Sequence, residues 1–195
     1  MIAWLNLTLL TFSALLFLYY YVLSVSPAAL EAIYGHKAYQ RCGNYRVVAI
    51  GFEFITVINY IVYFYYPVNS PIPQTFLWPW WISVSLALLI GVPAVSLMIV
   101  GMKDAGEEAV RPRKEHGMYE GIYAKLRHPQ AVGEVFIWLV IALLLNSPFL
   151  AVYSLLFVPI FLVMCLAEEK DLLLRFGAPY AEYMRTTGAY FPKRD

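Results

Sequence analysis

Arg127-His128-Pro129-Gln130 sets a permanent cation, an imidazole and a carboxamide directly ahead of an apolar run, and Glu168-Glu169 sets two carboxylates where another apolar run ends. Pro129 biases His128 toward extended backbone and itself suits the first turn of a helix. Arg127 and His128 are therefore expected at a helix N-terminus, whose unpaired N–H groups and positive potential attract a carboxylate or a phosphate. On the simpler alternative they are an interfacial arginine and a capping histidine. The paired glutamates, if turned back toward that end, would grip an amine or the hydroxyls of a ribose; otherwise they are a solvated helix end. The stretch from His116 to Gln130 also supplies Tyr123, together with Gly117 and Gly121, which allow backbone to come close to a ligand. Glu53 and Glu134 fall inside apolar runs, where an ionisable group is costly and is functional or paired. His36, His116 and His128 are dispersed and neither Cys42 nor Cys165 lies at ligand spacing to them, so no metal site is expected.

The elements that must position these groups are membrane helices. Hydrophobic residues make up 61% of the chain, aromatic residues 17% and charged residues 14%, a balance outside that of water-soluble domains. A net charge of +1 excludes the basic excess that a nucleic-acid binder needs. Two cysteines are too few for a disulfide framework. Spanning the hydrocarbon core takes about 20 apolar residues. The runs 2–25, 47–66 and 78–100 meet that length, 131–145 is short and 149–167 is adequate. The last two are separated only by Asn146, Ser147 and Pro148 and read as a helical hairpin. The first run has no basic residue ahead of it and is longer than an ordinary signal core, so it is expected to be retained.

All 14 basic residues fall between runs one and two, between three and four, or after run five, while segment 67–77 and the turn 146–148 carry no charge. Five spans then bring every Lys and Arg to one face, which the positive-inside rule assigns to the cytoplasm, with the N-terminus outside and the C-terminus inside. Residues 26–45 read as an interfacial loop or short helix. Phe176-Gly177 reads as a helix stop and Pro179 as the first turn of a short helix, so the C-terminal piece is expected to cap the cytoplasmic face. The expected fold is thus an all-α integral membrane protein of about five transmembrane helices. It forms one domain over residues 1–195: three helices in 1–100, then loop, hairpin and cap in 101–195.

Gly121-Ile122-Tyr123, Arg127-His128-Pro129-Gln130, Glu168-Glu169, Phe176-Gly177 with Tyr180 and Tyr183, and Phe191-Pro192 occur in that order. Together this set resembles the isoprenylcysteine carboxyl methyltransferase family, whose wider relatives methylate phospholipids and thiols. The resemblance implies an enzyme that takes S-adenosylmethionine from the cytosol and methylates an acceptor reaching it through the bilayer. It implies a cofactor pocket of Gly121, Tyr123, Arg127, His128, Pro129, Gln130, Glu168 and Glu169, with Tyr123 or Leu126 bordering the adenine. For a carboxylate acceptor Arg185 is the candidate to orient it; for an amine or thiol, Glu134 is the candidate base. A lipid amine, a small thiol or another hydrophobic acid fits so short a chain better than a prenylated cysteine. Two other readings stay open: a nicotinamide-dependent reductase of the sterol-reductase type, with Arg111, Arg113 and Lys114 on a phosphate, and a membrane adaptor or carrier without catalysis.

Overall fold

A computed structural model describes residues 1–112 and 120–193. His116, Gly117, Arg113 and Lys114 lie outside the described residues. Among the described residues eight α-helices follow in order: α1 (Ile2–Ser24), α2 (Pro27–Tyr34), α3 (Ala38–Tyr65), α4 (Trp80–Ala105), α5 (Pro129–Leu144), α6 (Pro148–Tyr153), α7 (Phe157–Phe176) and α8 (Ala178–Thr186). No strand occurs among the described residues beyond a single bridge between Leu126 and Gly188.

Four segments are long and apolar enough to cross a membrane: Ile2–Ser24, Pro27–Tyr65, Trp80–Ala109 and Pro148–Phe176. Helix α5 is apolar but has 16 residues, roughly 24 Å of rise, and is the short member expected from the sequence. Little of this apolar surface is used internally. Only 22% of the apolar window in α4 is buried, and Phe54, Leu89 and Leu155 are 66%, 73% and 65% exposed. Such continuous apolar surface needs lipid around it.

Helix α1 packs along α3, α4 packs along α5, and α7 touches α1, α2 and α5. The core is aromatic: Trp138 of α5 stacks on Phe157 of α7 at 3.8 Å between centroids, and Tyr60 of α3 lies 5.4 Å from Trp138. Polar bonds lock α1 to α3, with Thr56 donating to Ser13 Oγ at 2.9 Å and Asn6 to the Asn59 carbonyl at 3.0 Å. The α4–α5 pair is close because α5 carries Gly133, where a Cβ would stand 2.4 Å from the Ala94 carbonyl oxygen.

The hairpin turn forms as the sequence predicts. Asn146 takes a positive φ of 53°, the Ser147 hydroxyl accepts from the Leu150 N–H, and Pro148 opens α6. The following run is broken by a 3-10 turn at Ser154–Leu156. Pro159 accounts for this, since it has no N–H to bond the Leu155 carbonyl and its ring crowds that turn. At the other end Gly177 (φ 60°) stops α7 and Pro179 starts α8, as expected. The interfacial helix α2 is anchored to α7 by the Asp171 carboxylate, which accepts from the N–H groups of Ala28 (2.8 Å) and Ala29 (3.2 Å).

Candidate active site

The charged helix ends converge on one narrow cleft of about 40 Å³. Its walls come from α1 (Tyr21), α3 (Arg46), the end of α4 (Ala105, Glu108), the segment before α5 (Tyr123, Arg127, His128), α5 itself (Gln130, Glu134) and α7 (Phe161, Cys165, Glu168). Tyr123, Arg127, His128 and Glu168 also line a small second recess beside Tyr180 and Tyr183 of α8.

His128 is the residue ahead of α5, yet its side chain does not cap the helix. Instead its Nε2 lies 2.9 Å from Glu169 Oε1 and its Nδ1 3.5 Å from Glu168 Oε2. Burial opposes a charge on this imidazole, but hydrogen bonding to Cys165, Glu168 and Glu169 outweighs it and lifts the pKa to about 11. His128 is therefore an imidazolium at neutral pH.

Arg127 binds the same glutamate, with Nε and Nη2 each 2.8 Å from Glu169 Oε1. Its Nη1 donates to the carbonyls of Met184 (2.7 Å) and Thr187 (2.8 Å), so the guanidinium ties α7 to α8. The backbone continues this tie: Arg127 N–H donates to the Gly188 carbonyl at 2.9 Å and His128 N–H to that of Ala189 at 3.1 Å. Both cations thus converge on Glu169 Oε1 and the residue is 8% exposed, whereas Glu168 has one long ion-pair contact among the described residues and faces the cleft.

Tyr123 and Gln130 form the opposite lip. Gln130 donates to the Tyr123 hydroxyl at 2.8 Å, that hydroxyl donates to the Gly101 carbonyl at 3.2 Å, and Tyr183 donates to the Tyr123 carbonyl at 2.6 Å. Burial and the charge of Glu168 raise the Tyr123 phenol, which stays neutral. Gly121 lies outside the cleft lining. It has φ +59° and packs on Asp104, whose Oδ2 would be 2.2 Å from an added Cβ and accepts the Ile122 N–H at 2.7 Å. Pro129 is buried in the first turn of α5. Leu126 is buried and bridges to Gly188.

The structure thus gathers Tyr123, Arg127, His128, Gln130, Glu134, Glu168 and Glu169 in one place. It leaves Arg185 apart: that side chain is 76% exposed on α8 and pairs with Glu182 at 2.7 Å. Tyr21 and Arg46 were not foreseen. Arg46 is 8% exposed, donates to Ser24 Oγ (2.8 Å) and the Ala109 carbonyl (2.6 Å), and lies over the Tyr21 ring at 4.8 Å. Its position at the mouth of an apolar run was the one available signal, because a buried arginine there must find partners.

Helices of this length and apolarity, with a cluster of ionisable groups around one cleft, are those of a multi-pass membrane protein. Over residues 85–178, a little under half of its length, the chain matches the family model described as phospholipid methyltransferase. The match contains Tyr123, Arg127, His128, Glu134, Glu168 and Glu169, and leaves Tyr21, Arg46 and Glu53 outside it. No curated protein and no solved structure matches the chain.

Proposed function

We propose that the protein is a membrane methyltransferase that uses S-adenosylmethionine from the cytosol and acts on a hydrophobic or lipid-linked acceptor. The observation that carries this reading is the meeting of two unlike spaces. The polar cleft shares Ala131, Phe161 and Cys165 with an apolar groove of about 340 Å³ between α5 and α7. The groove is lined by exposed side chains such as Phe136, Leu155 and Val158, on the surface that lipid would cover. An apolar tail in the groove brings its reactive end to the polar cleft.

The cleft's donor set fits the cofactor. Glu168, with coordination to spare, suits the ammonium group or the ribose diol, and Tyr21 and Tyr123 offer aromatic faces. His128, Gln130 and Arg46 are hydrogen-bond donors for the carboxylate end. Arg127 and Glu169 position these groups and hold α8 in place, while Gly121 and Pro129 shape the backbone beneath them. S-adenosylmethionine supplies an electrophilic methyl group on a sulfonium. The protein's part is alignment and exclusion of water, with α8 as the cover. The positive-inside rule supports a cytosolic position for the cleft, because five spans put all 14 basic residues on that side. Neither a reductase nor an adaptor is favoured by a specific observation, and Arg113 and Lys114 lie outside the described residues.

Calorimetric titration of the detergent-purified protein with S-adenosylhomocysteine tests the proposal. Saturable binding, weakened by Glu168→Ala and by His128→Ala, is expected. A folded parent that does not bind would sink it.

A further inference from the structure

Among the described residues, Arg46 is the one cation lining the cleft with no carboxylate at ion-pair distance. Arg127 and His128 converge on Glu169, and nearby Arg175 takes Glu108 at 2.9 Å. Arg46 instead spends Nε on Ser24 Oγ (2.8 Å) and Nη1 on the Ala109 carbonyl (2.6 Å), both neutral acceptors. Its Nη2 bonds to none of the described residues. The residue is 8% exposed, and a guanidinium so far out of water ordinarily faces an anion, because burying an unpaired charge is costly. Glu168 is its counterpart, a carboxylate whose ion-pair contact among the described residues is 3.5 Å long. The two line the cleft together, and both also line a small recess beside it walled by Val25, Pro27 and Asp171. They form no ion pair with one another. Neither lines the apolar groove, which meets the cleft at Ala131, Phe161 and Cys165. On α7, Glu168 follows Cys165 by three residues, so the two share a face about 4.5 Å apart along the axis.

We propose that Arg46 and Glu168 form a subsite for the zwitterionic amino-acid head of the cofactor, Arg46 taking its carboxylate and Glu168 its ammonium. This rests on the methyltransferase reading and deepens it, because it fixes which way round the cofactor lies. The head turns to α1 and α3, which leaves the Cys165 end of the cleft, where the groove opens, to the methyl that is transferred. Two groups of opposite sign that do not neutralise each other suit a ligand that itself carries both charges. A simple anion would answer Arg46 alone, and a simple amine Glu168 alone. The other donors of the cleft are committed: both ring nitrogens of His128 face glutamates, and the Gln130 amide donates to Tyr123. Glu134 lines the same cleft beyond ion-pair distance of Arg46. Ser24 and the Ala109 carbonyl fix the guanidinium, and the Tyr21 ring lies against it at 4.8 Å, so Arg46 has little rotamer freedom left to lose on binding. Arg46, Tyr21 and Ser24 all lie outside residues 85–178, so this half of the subsite comes from helices that the family match does not cover.

Three ligands test the subsite by calorimetry on the detergent-purified protein: S-adenosylhomocysteine, its decarboxylated analogue and its deaminated analogue. The parent is expected to bind S-adenosylhomocysteine about 10-fold or more tighter than either analogue, since each lacks one charge-assisted contact. Arg46→Gln is expected to erase the penalty for the missing carboxylate and keep that for the missing ammonium. Glu168→Gln is expected to do the reverse. A purely structural Arg46 would lower all three affinities by one factor, and that result overturns the proposal. Equal affinity of the parent for S-adenosylhomocysteine and the decarboxylated analogue overturns it without any variant. If Arg46→Gln does not fold, Arg46→Lys keeps the charge but loses the planar fork, and is expected to shrink the carboxylate preference alone. An unchanged preference in Arg46→Lys overturns the assignment. A folded parent that binds no S-adenosylhomocysteine sinks the methyltransferase reading, whereas binding without preference over the decarboxylated analogue sinks the subsite alone.

Discussion

Replacing Glu169 by Ala should unfold the protein more easily than replacing its neighbour Glu168, and the difference follows from what each carboxylate holds. Glu169 Oε1 receives Arg127 Nε and Nη2 at 2.8 Å each and His128 Nε2 at 2.9 Å. Its removal strands two cations whose side chains are 11% and 3% exposed. Breaking a buried pair in this way costs about 3–5 kcal/mol. The lower end applies here, because Arg127 keeps its bonds to the Met184 and Thr187 carbonyls and His128 keeps Glu168 at 3.5 Å. Glu168 is 26% exposed and its single contact is long, so its removal should cost about 1 kcal/mol or less. Equilibrium unfolding by dodecyl sulfate in mixed micelles, followed by the fluorescence of the buried Trp138, measures both. The binding of S-adenosylhomocysteine should rank differently, with Glu168→Ala losing affinity while the protein stays folded. Equal destabilisation by the two substitutions would refute the division into a holding and a facing carboxylate.

The proton on His128 gives a pH dependence. The folded imidazole titrates at about 11 and the unfolded one near 6.5, so its stabilisation is complete below the ordinary histidine range and is lost as pH climbs through 11. The parent's unfolding free energy should fall from neutral toward alkaline pH more steeply than that of His128→Gln, measured by the same unfolding assay. Gly133→Ala should cost about 1–3 kcal/mol, because its Cβ would meet the Ala94 carbonyl oxygen at 2.4 Å and Met98 N at 2.9 Å, both on the α4 backbone. Arg185→Ala removes an exposed side chain paired with Glu182 and should leave both stability and S-adenosylhomocysteine binding unchanged. A loss of binding in that variant would return Arg185 to the site.

Helix positions were legible because lipid imposes a long apolar run on each span, so α1, α4 and the hairpin appear almost where composition puts them. The start of α3 was not: the apolar run begins at Val47, but the helix begins at Ala38, since Arg46 and Cys42 turn inward and a polar helical turn at the interface has no apolar signature. The order of motifs around Arg127, His128 and Glu168 was visible because proline and paired charges leave local marks. What stayed hidden was how the charges divide their work. Nothing in the run Glu168-Glu169 tells which carboxylate holds the two cations, because the answer depends on the direction in which α7 presents each side chain to Arg127. The contribution of Tyr21 and Arg46 was hidden for a similar reason, as it exists only once α1 and α3 pack beside α7.

That packing divides the cleft by origin. Tyr123, Arg127, His128 and Glu168 lie in the stretch that matches the methyltransferase family, whereas Tyr21 and Arg46 come from helices outside it. The proposed cofactor contacts are therefore drawn mostly from the first group, with Tyr21 and Arg46 completing the wall from the second. Helices α1 and α3 are locked together by Thr56–Ser13 and Asn6–Asn59, bonds that lie away from the cleft and hold Tyr21 and Arg46 in a common frame. The binding of the proposed cofactor is accordingly sought where α5 meets α7, with α1 and α3 closing the cleft behind it.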